Sequence, residues 1–219
     1  MRYKQYLAAW LQRTLLLFRA LHVAAVVPVV FMDIVLPVLL LLIFFRQGSG
    51  GHFPILARQL YGVFMPFMSC WWVVFVQKFF SEDNGCELLT ANRKKSRLLD
   101  LAVFYVLGIL CALISALPVV FIDRSFFFYW CRLLAVSIFI FGEIYFVSVV
   151  FGSTMPTIFS TVIYVLINLF SPCSTVRFPL YYSPESEPDL LFCELPLAAF
   201  GIALIVTAEV LARKGRVKL

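Results

Sequence analysis

Residues 78–100, KFFSEDNGCELLTANRKKSRLLD, are a long charged interruption in a chain otherwise dominated by apolar runs. The runs on either side are long enough to cross a bilayer core of ~30 Å, so this stretch has to lie in water, or against another protein, between two spans. Its charges are ordered. Glu82, Asp83 and Glu87 stand ahead of a short apolar patch, Leu88 and Leu89, and Arg93, Lys94, Lys95 and Arg97 stand behind it. That order suits the two poles of a short helix lying along a membrane surface. The stretch reads as a docking element, against the plain alternative of a solvated loop that obeys the positive-inside rule.

Composition sets the class. Apolar residues make up 63% of the chain and charged ones 14%, with a mean hydropathy of +0.96. A soluble protein carries about half apolar and a quarter charged residues, so this is an integral membrane protein. The net charge of +6 does not point to nucleic acid, because the basic residues cluster beside hydrophobic spans and form no separate basic domain. At ~20 residues per span, 219 residues hold one bundle of about six helices and little else. No ATPase domain fits inside it.

The chain reads as a single transmembrane domain, 1–219. Residues 1–19 place Arg2, Gln5, Gln12, Arg13 and Arg19 on roughly one helical face, the pattern of an interfacial amphipathic helix retained in the mature protein. Spans are expected at Ala20–Phe45, Phe53–Phe80, Leu101–Ile122, Phe126–Gly152, Thr157–Ser171 and Leu197–Ala212. Pro28 and Pro37 should kink the first and Pro54 and Pro66 interrupt the second, while the fifth is short for a crossing. Residues 172–196 carry five of the eleven prolines, four acids and several aromatic rings, which suits an outside loop dipping into the interface. Thirteen of the eighteen Lys and Arg fall on the N-terminal helix, the 78–100 loop and the tail, and four on the opposite side. The richer side is expected to be cytoplasmic, with both termini on it. The expected fold is therefore all-α: a six-transmembrane bundle with an N-terminal interfacial helix and a cytoplasmic helix between spans 2 and 3.

Ionisable residues inside spans are expensive in lipid and point to function by default. Asp33 and Glu143 lie near span centres and are the candidates for a transport path, with satisfied or protonated carboxyl groups as the structural alternative. Arg132 and Glu209 lie near span ends and are expected to snorkel. A catalytic or metal site is poorly supplied. The two histidines, His22 and His52, are expected at opposite faces of the membrane, and no glycine-rich phosphate loop, Cys-x-x-Cys or His-x-x-x-His spacing occurs. Cys173 and Cys193 share the outside loop and are the pair available for a disulfide, or stand as free thiols.

The acidic pair, the glycine, the Glu-Leu-Leu and the later Ser-Arg, here Glu82, Asp83, Gly85, Glu87, Leu88, Leu89, Ser96 and Arg97, resemble the first cytoplasmic loop of the type-2 permeases of ATP-binding-cassette exporters. The chain departs from that family where Asn92 to Lys95 replace a frequent proline and Asp100 stands where a lysine is common. The resemblance implies that Glu82, Asp83, Gly85, Glu87, Leu88, Leu89 and Arg97 form a coupling helix for a separate ATPase subunit, which holds the ATP and Mg; this chain would carry no cofactor and no enzymatic activity of its own. It further implies a second permease copy, identical or not, and an amphipathic cargo such as a peptide, lipid or drug. A secondary transporter and a non-transporting immunity or accessory protein are the alternatives, and a lipid-directed membrane enzyme is disfavoured by the scarcity of convergent polar groups.

Overall fold

The computed structural model describes residues 23–47, 53–81, 97–153, 155–170 and 194–213, together with scattered positions between 12 and 19. All regular structure among them is helical: α1 (Val23–Val30), a π-helical turn (Phe31–Val35), α2 (Leu36–Gln47), α3 (Phe53–Ser69), α4 (Trp71–Ser81), α5 (Arg97–Ile122), α6 (Ser125–Phe151), α7 (Met155–Phe170) and α8 (Glu194–Arg213). Five stretches are long and apolar enough to cross a membrane: Ala25–Arg46, Phe53–Lys78, Arg97–Ile122, Ser125–Phe151 and Leu195–Ala212. The chain is a multi-pass helical membrane protein. The expected fifth span is a helix, but its 16 residues rise only ~24 Å, short of the ~30 Å core. Among the described residues, five of the six expected spans are long enough to cross.

The first span is bent for a covalent reason. Pro37 has no N–H to offer the Asp33 carbonyl four residues earlier, and its ring needs room in the preceding turn. The backbone widens instead: the Leu36 N–H reaches back five residues to the Phe31 carbonyl, closing a π-turn with Asp33 in its middle. The second span breaks later than its prolines suggest. Pro54 lies in the first turn of α3, where a missing N–H costs little. Pro66 sits inside α3, and the break comes at Cys70. There the Ser69 hydroxyl donates to the Pro66 carbonyl at 3.0 Å, and the Cys70 N–H turns to the Phe67 carbonyl at 3.1 Å. α4 resumes at once, with the Val74 N–H donating to the Cys70 carbonyl at 3.3 Å.

α6 is the hub, touching α3, α4, α5, α7 and α8. The most extensive of these contacts is with α8. Lipid offers no hydrophobic drive for one apolar helix to leave it for another, so close association rests on van der Waals fit at small residues. Gly142 and Gly201 supply that fit: a Cβ on Gly142 would stand 2.3 Å from the Gly201 carbonyl oxygen, and one on Gly201 would stand 2.6 Å from the Phe139 Cα. The outward faces of the helices remain apolar, with Ile114, Phe121, Phe128, Phe200 and Val206 all more than half exposed, as a lipid-facing surface requires.

Several buried serines bond within their own helices. Ser115, Ser137 and Ser148 each donate to the carbonyl three residues back, at 2.9 Å. At one end of the bundle Arg58 of α3 pairs with Asp123 at 3.3 Å and donates to the Ser125 hydroxyl at 2.6 Å, fixing the α5–α6 turn. Trp72 of α4 ties the first span in through its Nε1, 3.1 Å from the Ala25 carbonyl.

Candidate functional site

The π-turn and the Cys70 break face each other across α5. Where they meet, Val29, Met32, Asp33, Met68, Ser69, Gly108, Cys111 and Ala112 line a small crevice. Its volume of about 10 Å³ holds one water-sized particle. Gly108 makes the approach feasible, since a Cβ there would stand 2.2 Å from the Ser69 carbonyl oxygen. Cys111 lines that crevice beside Asp33. Asp33 thus sits where the π-turn of the first span comes beside the Ser69–Cys70 turn of the second.

On the far side of the break the polar groups continue. The fully buried Cys70 thiol lies 3.9 Å from the Ser69 hydroxyl and donates to the Ser137 carbonyl at 3.5 Å. The Ser137 hydroxyl in turn meets the Tyr105 hydroxyl at 2.8 Å, and the Tyr105 ring stacks on Phe141 with centroids 4.6 Å apart. Glu143 lies two residues on from Phe141 in α6 and is partly buried. Its Oε2 is buried without a hydrogen-bond partner. Asp33 lines the crevice with Ser69, and Glu143 is not part of that lining; the thiols and hydroxyls of Ser69, Cys70, Ser137 and Tyr105 form a polar seam inside the bundle. Among the described residues no group of His, Cys, Asp and Glu side chains could hold a metal ion by itself.

The span-end charges behave differently from expectation. Glu209 does not simply snorkel, because the Tyr145 hydroxyl donates to it at 2.8 Å and draws it against α6. Arg132 sits two turns inside α6 and is partly buried. The sequence reading missed Ser69, Cys70, Tyr105, Cys111 and Ser137, all uncharged. Pro66 was no signal for a turn at Cys70, because a proline's missing N–H acts on the carbonyl four residues earlier.

Of the coupling residues, Glu82, Asp83, Gly85, Glu87, Leu88 and Leu89 lie outside the described residues, as do Cys173 and Cys193. The frame around residues 82–96 is described. α4 ends at Ser81, α5 begins at Arg97, and the two helices pack against each other. The Arg97 guanidinium sits over the Phe80 ring, 5.5 Å from its centroid, and Asp100 is buried one turn into α5. The helix begins earlier than the expected Leu101, so Arg97 and Asp100 belong to the bundle and the separating segment is shorter.

Comparison with known proteins is negative throughout. No protein-family model, curated protein or solved structure matches the chain.

Proposed function

We propose that the chain is the membrane-spanning permease subunit of an ATP-binding-cassette exporter, with residues 82–97 as the element that docks on a separate ATPase. The observation that carries this reading is the setting of that segment. The run from Glu82 through Glu87, Leu88 and Leu89 to Ser96 is carried between two packed helix ends closed by Arg97 over Phe80. A push on such a segment travels directly into α4 and α5, and from there to the Cys70 break and the Asp33 crevice. ATP-driven closure of two ATPase subunits would bias two permease chains between inward-facing and outward-facing arrangements. The cargo class is amphipathic, the ATPase holds ATP and Mg, and the basic ends of the chain face the cytoplasm.

A secondary transporter is the second reading, favoured by one feature: a carboxylate set beside irregular turns of two spans resembles the setting in which coupling ions bind. The two separate on purification. Tagged protein drawn from its native membranes in mild detergent should bring an ATPase subunit with it, and cargo should stimulate ATP hydrolysis by that complex. Ion-driven uptake by the chain alone in proteoliposomes, with no ATPase recovered, would replace the first reading with the second.

A further inference from the structure

We propose that the outward face of the second span is a binding site for one anionic phospholipid, with Lys78 on the headgroup and the rings of Phe75, Trp71 and Phe67 along an acyl chain. The phase of α4 separates this face from the core. Val73, Val74, Val76, Gln77 and Phe80 are buried, and at ~3.6 residues per turn they centre on the side of the helix opposite Trp71, Phe75 and Lys78. Lys78 is exposed, and Phe67, Trp71 and Phe75 are half-buried. The rings form one ladder. The Trp71 centroid lies 5.3 Å from that of Phe67 and 5.3 Å from that of Phe75, so the stripe runs unbroken across the Cys70 turn.

Length and charge select the occupant. Phe67 to Lys78 is eleven residues, or ~16 Å of helix, which matches half of a ~30 Å hydrocarbon core. A single leaflet therefore fits the stripe, with a headgroup at Lys78 and the end of a chain near Phe67. Rings already packed on one another lose little further rotamer freedom when a chain settles against them. Among the described residues no carboxylate forms a salt bridge with Lys78, and the lysine stem is long enough to carry its ammonium up to the phosphate level. A basic side chain at that level draws an anionic lipid; a zwitterionic headgroup, whose own ammonium offsets its phosphate, gains less. A second copy docked face to face would bury two lysines with no acid on either stripe to pair them. The leaflet concerned is the one that adjoins residues 82–96, and the inference holds whether the chain works with an ATPase or without one.

The probe is phosphatidylglycerol with brominated acyl chains, which quench a tryptophan they touch, diluted into phosphatidylcholine vesicles that carry the full-length protein. Brominated phosphatidylcholine is the reference, and Trp71→Phe identifies the part of the quenching that arises on the stripe. The expected result is that phosphatidylglycerol quenches Trp71 about threefold or more as effectively, mole for mole, as phosphatidylcholine. Lys78→Gln should abolish that preference and Lys78→Arg should keep it. Arg124→Gln, which removes an exposed charge at the other end of the bundle, should leave it unchanged. Equal quenching by the two lipids would overturn the proposal, as would a preference that survives Lys78→Gln in protein eluting like the wild type. An equal loss with Arg124→Gln would reduce the effect to general surface charge, and absence of Trp71 quenching by either lipid would mean that protein, not lipid, covers this face; either result sinks the site.

Discussion

At the scale of single residues, the carboxylates are what set this chain apart from a plain apolar bundle. Asp33 lies in a crevice beside Cys111, and Glu143 has one oxygen buried without a hydrogen-bond partner. Asp33→Asn keeps shape and removes the ionisable group, so the protein should reach the membrane and assemble normally while its transport rate or cargo preference changes. Glu143→Gln does the same in α6 and should behave similarly. Quantifying assembled protein by size exclusion and transport by flux in vesicles checks both; normal transport by both variants would make the two carboxylates structural. The charges were legible in the sequence because an acid inside an apolar run is conspicuous. Their neighbours were not, because Cys111, Ser69 and Tyr105 are ordinary in any helix until folding sets them beside a carboxylate or a break.

At the scale of elements, hydropathy placed the spans to within a few residues, since a run long enough to cross lipid declares itself. Breaks and partners are another matter. Pro37 acts on the carbonyl of Asp33, a turn before it, while the irregular turn at Ser69 and Cys70 follows Pro66, whose carbonyl accepts the Ser69 hydroxyl. The seating of α8 on α6 depends on Gly142 and Gly201, fifty-nine positions apart in sequence. Neither glycine signals the other. Gly142→Val would put side-chain atoms where the Gly201 backbone already lies, and overpacking of this kind costs about 1 to 3 kcal/mol or more. The expected outcome is a lower melting temperature in detergent and freer proteolysis of the 194–213 helix, with the rest of the bundle intact. A variant as stable as the wild type would contradict the close crossing.

At the scale of the whole molecule, the charge asymmetry and the helix order make one topological prediction. The Arg58–Asp123 pair lies at one end of the bundle, and the Phe80–Arg97 contact at the other. Labels at Asn92 and Arg216 should react only from the cytoplasm, and labels at Gly50 and Ser186 only from outside. The two ends answer different questions, because α7 is short for a crossing. If α7 does not span, Arg216 changes sides while Asn92 does not. The proposed function rests on Asn92, since an ATPase can dock only on the cytoplasmic face.

The docking segment itself gives the most direct test. Glu87→Lys reverses a charge that the ATPase cleft is proposed to match, and Leu88→Asp places a charge in an apolar contact. An unpaired, desolvated interfacial charge costs about 2 to 5 kcal/mol, equivalent to tens- to thousands-fold weaker association. Both side chains lie between spans, so the bundle should survive either change. The measurement is the amount of ATPase recovered with each variant, relative to permease recovered from the same membranes. Near-normal permease with the ATPase lost from both variants is the predicted result; undiminished recovery with both would contradict docking at residues 82–97 and remove the main support for the exporter.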